Sequence, residues 1–107
     1  MARREGTTLR LSVAGELDRA STGRVERALD DALEARTDHI VVDLSAVTFL
    51  DLAAIRTLLS ANARTRDQGQ DLTVVRPSGT ASRIFTLTRV GEVLALSDPG
   101  PSAATSG

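Results

Sequence analysis

The chain has 107 residues, enough for one domain and not for two. Its 13 basic and 14 acidic residues nearly cancel, and every basic residue is arginine. Lysine chemistry, P-loops and Schiff bases are therefore excluded, and no basic stripe marks a nucleic-acid surface.

With no cysteine, there are no disulfides, thiolate metal sites or thiol catalysis, which fits a cytoplasmic location. Phe49 and Phe85 are the only aromatic residues, too few for a base-stacking platform. No apolar run approaches the roughly 20 residues that span a bilayer. Met1 to Gly6 is basic with no apolar stretch behind it, so no secretory signal and no direct membrane insertion are expected.

Thr8 to Ala14 alternates, with Leu9, Leu11 and Val13 on one face, and period two predicts a half-buried strand ended by Gly15. Residues 2–5 signal an extra edge strand weakly. Ser21 or Thr22 caps the helix that follows, whose inner stripe is Val25, Ala28, Leu29, Ala32 and Leu33. On its wet face Arg27 and Asp31 have the spacing of an ion pair.

Ile40 to Leu44 is a short, nearly continuous apolar run and reads as a strand covered on both faces. A second helix spans about Leu52 to Arg66, with Ala54, Ile55, Leu58, Leu59 and Ala63 inward and Asp51 at the N-cap. Gly69 ends it. Leu72 to Val75 is a third strand, broken by Pro77-Ser78-Gly79. A third helix over Thr80 to Thr88 buries Ala81, Ile84, Phe85 and Leu87, and Val93 to Leu96 forms a last short strand. The alternation predicts an α/β sheet with crossover helices, right-handed where paired strands are parallel. Residues 1–98 form the expected domain. The small polar residues of 99–107, following Asp98-Pro99-Gly100-Pro101, predict a disordered tail.

Candidate chemistry is sparse. Asp18, Asp43 and Asp51 sit at strand ends or strand-to-helix turns, but a receiver-type phosphoaspartate pocket needs a late lysine that this chain lacks. Asp51 reads first as an N-cap, Asp18 as a residue that orders the turn before Ser21, and Asp43 as structural. His39 is the lone histidine, which leaves no metal pair and no Ser-His triad, and no serine stands in G-x-S-x-G. The glycines form no phosphate loop. No catalytic residue, metal site or cofactor is expected.

Three segments in register resemble the STAS domain of bacterial anti-sigma factor antagonists. They are Gly15-Glu16-Leu17-Asp18, then His39 to Leu44 running through Ser45 to Asp51, then Phe85 to Leu94 with Leu87-Thr88-Arg89-Val90. The resemblance covers about residues 8–96. It implies a small mixed sheet of four to five strands with three to four helices on one side, and a binding module without an active site. It further implies a loop before the second helix and a docking surface at that loop and the helix's first turn. The partner implied is an anti-sigma factor of the histidine-kinase-like ATPase type, with release of a sigma factor. The candidate surface is Asp18, Arg19 and Ser21 on one loop, with Thr48, Asp51, Leu52, Ala53, Ala54 and Arg56 on the other.

In the family this segment usually reads V-T-F-x-D-S-S-G-L, and phosphorylation of the second serine switches binding off. Here Ala53 stands at that position, Leu52 replaces the neighbouring serine, and Ala54 replaces the glycine. The resemblance thus implies a binder without that switch; the same three residues are also simply good helix formers. STAS-like domains also serve as adaptor subunits of lipid-transport ATP-binding cassette complexes and as scaffold subunits of stress-signalling assemblies, where a homo-oligomer is expected.

Overall fold

The computed structural model describes residues 2–98. The elements in chain order are β1 (Ala2–Glu5), β2 (Thr8–Leu17), α1 (Thr22–Glu34), β3 (His39–Leu50), α2 (Leu52–Asp67), β4 (Asp71–Val75), α3 (Gly79–Thr88), a 3₁₀ turn (Val90–Glu92) and β5 (Ala95–Ser97). The expected tail, 99–107, lies outside the described residues.

The five strands form one sheet in the order β1-β2-β3-β4-β5, so the weakly signalled edge strand is present. β1 pairs antiparallel with β2, and the remaining pairs are parallel. Each parallel neighbour is reached through one helix and the order never reverses. Right-handed crossovers then put α1, α2 and α3 on the same face of the sheet. Leu11, Ile40, Val42, Leu44, Leu72 and Val74 meet Leu29, Leu33, Leu58 and Phe85 in a single core.

Along β3 the buried residues Ile40, Val42 and Leu44 alternate with half-buried Val41, Asp43 and Ser45. This corrects the expectation of a strand covered on both faces: only one face lies under helices. Arg10 and Asp43 pair across β2 and β3 on the other face, at 2.6 Å.

β3 is also longer than its first apolar run. It continues to Leu50, pairing Ala46, Val47, Phe49 and Leu50 with Ala14, Gly15, Glu16 and Leu17. Two bulges, one between Asp43 and Ala46 and one at Thr48, each give β3 an extra residue. The buried positions therefore change spacing from two (Ile40, Val42, Leu44) to three (Leu44, Val47, Leu50). The expected loop from Ser45 onward is therefore strand, and Gly15, at φ +80, lies inside β2 instead of ending it.

α2 is the best-terminated helix. Asp51 is its N-cap, and the Asp51 carboxylate accepts from the Ala54 amide at 3.2 Å. At the other end Gly69, at φ +74, donates its amide to the Arg66 carbonyl at 3.2 Å, and Gln70 donates to that of Thr65 at 2.8 Å. That double bond is the Schellman termination. Arg27 and Asp31 do not pair among the described residues; Asp30 instead takes Arg64 across α1 and α2, at 2.5 Å. In α3, Ala81 and Phe85 are buried as expected and Ile84 is partly so, but Leu87 is 79% exposed. The last strand starts at Ala95, after the exposed Val93 and the buried Leu94.

Candidate functional site

The ends of β2 and β3 bring the two predicted halves of the site together. Leu17 and Leu50 are buried partners in the ladder, so Asp18 and Asp51 leave the sheet side by side. The Asp51 amide then donates to the Leu17 carbonyl at 3.3 Å, which fastens the start of α2 to the end of β2.

Asp18 organises its own turn. Its carboxylate accepts from the amides of Ala20 at 3.0 Å and Ser21 at 3.1 Å, and its carbonyl accepts from the Thr22 amide at 2.8 Å. The Ser21 hydroxyl accepts from the Asp18 amide at 2.9 Å and reaches back to the Glu16 carbonyl at 3.0 Å. Ser21 occupies the N-cap position of α1 but makes no side-chain cap bond to the helix. The side-chain cap expected of Ser21 or Thr22 is not formed: the Ser21 hydroxyl is spent on the strand end, and the Thr22 amide is taken by the Asp18 carbonyl.

On the second half, Thr48 is exposed and has no opposite residue in the ladder, being the bulged position. Asp51 is partly buried by its cap bond, Ala53 is partly exposed, Arg56 is exposed, and Ala54 is buried in the core. Of the nine predicted residues, Ala54 therefore faces away from the surface. Arg19 is exposed on the Asp18 turn, and both Arg19 and Arg56 line a cleft between the N-terminal halves of α1 and α2.

Phe49 was absent from the predicted surface. It is 50% exposed, and Leu52, three residues on, is 55% exposed. The bulge between Asp43 and Ala46 turns Val47 inward, and the second, at Thr48, reverses this, so Phe49 returns to the outer face.

Among the described residues, Asp43 has a shifted pKa. Burial works to raise its pKa, but hydrogen bonds from the Ser45 hydroxyl and amide and the Arg10 guanidinium outweigh it and hold the carboxyl below its ordinary value. Asp43 is thus a structural ion-pair partner. Among the described residues no group of three His, Cys, Asp or Glu side chains is placed to hold a metal ion, and no helix is long and apolar enough to cross a membrane.

A small mixed sheet with helices packed on one face is the arrangement the three sequence segments anticipated. The family model described as Mlab, STAS domain matches residues 1–96. The chain belongs to the STAS domain family. Among solved structures, a Thermotoga maritima protein described as a candidate anti-sigma factor antagonist superposes with a TM-score of 0.84 at 17% identity, over 99% of this chain and 91% of that one. An anti-sigma factor antagonist from Mycobacterium paratuberculosis gives 0.83 at 24% identity, over 99% and 89%. The Bacillus cell fate determinant SpoIIAA in its phosphorylated form gives 0.74 at 16% identity, over 99% and 96%. At these identities the likeness is one of fold.

Proposed function

We propose that this STAS chain is a non-enzymatic, bacterial, cytoplasmic anti-sigma factor antagonist. It docks on an anti-sigma factor of the histidine-kinase-like ATPase type, and the sigma factor is released. The docking surface is the Asp18 turn together with Thr48, Phe49, Asp51, Leu52, Ala53 and Arg56. The observation that carries the reading is the exposed apolar pair Phe49 and Leu52 beside the start of α2. Exposed apolar side chains ringed by polar groups are the usual anchors of a protein interface. Ala53 has no hydroxyl to phosphorylate, so binding is constitutive or set by abundance, without the family's switch at that position.

Affinity purification of the tagged protein from its native cells, with mass spectrometry of the eluate, tests this. A histidine-kinase-like ATPase lost on Leu52→Asp supports it. An eluate without one, or one retained by that variant, overturns it. The missing hydroxyl at Ala53 also favours a second reading, an adaptor subunit of a lipid-transport ATP-binding cassette complex, which needs no phosphoacceptor. Recovery of a transporter ATPase and permease selects that reading.

A further inference from the structure

The N-terminal halves of α1 and α2, with Arg19 on the Asp18 turn, flank an open cleft of about 470 Å³ whose lining includes Gly23, Glu26, Ala53, Arg56 and Thr57. Four features of it converge. Arg19 and Arg56 make no ion pair among the described residues. The Gly23 and Ala53 amides, each the second residue of its helix, donate no hydrogen bond among the described residues. Both helix starts therefore bring free donors and positive dipole ends to one cleft. The Thr57 side chain is a polar group in a residue only 9% exposed, and its hydroxyl has no hydrogen-bond partner among the described residues. Glycine at 23 and alanine at 53 leave the space unfilled by side chains.

We infer that this cleft binds a phosphate group. A tetrahedral dianion offers acceptors in several directions. Two guanidinium forks, two helix-start amides and the Thr57 hydroxyl supply donors from both walls. Thr22 is already committed, since its hydroxyl donates to the Asp18 carbonyl. Glu26 is the one carboxylate on the lining and is exposed, so it sits at the solvent rim and leaves the two arginines in excess. A free phosphate and a phosphomonoester present the same acceptors to this cleft. The assignment is independent of which protein docks at Phe49 and Leu52: a chain that captures no ATPase still binds phosphate.

The test is an amide-resolved NMR titration of the intact chain with inorganic phosphate, with chloride and acetate at matched ionic strength as controls. Saturable shifts at Gly23, Ala53 and Thr57 are expected with phosphate alone. Arg56→Gln removes an exposed side chain without touching the core, and it should weaken binding about tenfold or more. Thr57→Val keeps the shape and removes the hydroxyl, and should weaken it several-fold; an unperturbed spectrum elsewhere shows that either variant is folded. O-phosphoserine binding more tightly than inorganic phosphate identifies the ligand as an ester, and equal or weaker binding identifies the free ion. Non-saturating shifts reproduced by chloride or acetate, or unchanged affinity in Arg56→Gln, overturn the assignment.

Discussion

The Asp51 amide donates to the carbonyl of Leu17 at 3.3 Å, while the Asp51 carboxylate caps α2 through Ala54. One residue therefore both closes the β2–β3 ladder and starts the helix on which the candidate surface stands. Asp51→Ala keeps the amide bond and loses the cap. It is expected to cost about 1 kcal/mol, within the usual range for such caps, and Asp51→Asn to recover most of that. Chemical denaturation of the three proteins measures both.

Gly15 holds φ +80 between two residues that pair with β3, and an added Cβ meets nothing within 4 Å. Space is not the constraint; the left-handed backbone is. Gly15→Ala should cost about 1–2 kcal/mol through strain alone. Gly23→Ala, in a helix with equally open space around it and no positive φ, should be neutral or stabilising. Finding the two variants equal in thermal stability would remove the left-handed backbone as the reason for glycine at 15.

Asp43 pairs with Arg10 at 2.6 Å and has a lowered pKa. A group whose folded pKa is depressed adds stability above its unfolded value, and that stability is lost as pH falls through the folded value. Asp43→Asn should therefore be destabilised by about 1–2 kcal/mol near neutral pH, with the gap to the parent closing in acid. Denaturation curves for the pair across the acid range check this. A gap that stays constant with pH contradicts it.

Phe49 and Leu52 contribute little to the core, being half exposed. Phe49→Ser and Leu52→Ser should each leave stability within about 0.5 kcal/mol of the parent while abolishing partner capture. By contrast Leu58→Ala, at a fully buried position of α2, should cost about 2–5 kcal/mol. Loss of capture accompanied by unfolding in the two surface variants would assign Phe49 and Leu52 to the fold instead.

Local signals carried most of the architecture. The stripe from Val25 to Leu33, the N-cap at Asp51 and the terminating Gly69 each depend on residues within a turn or two, so the order of strands and helices is legible in the sequence. Asp18 ordering the turn before Ser21 was legible for the same reason. The extension of β3 was not, because its buried positions change from every second to every third residue, and a bulge exists only relative to the partner strand. The same pair of bulges turns Val47 inward and returns Phe49 to the outer face. Arg64 finding Asp30, 34 residues away, and Arg19 meeting Arg56 on one cleft follow from two helices lying side by side on the same face of the sheet. Periodicity and caps, acting along the chain, determined which segments are strands and helices; what those elements jointly enclose was decided by packing between residues that no local pattern connects.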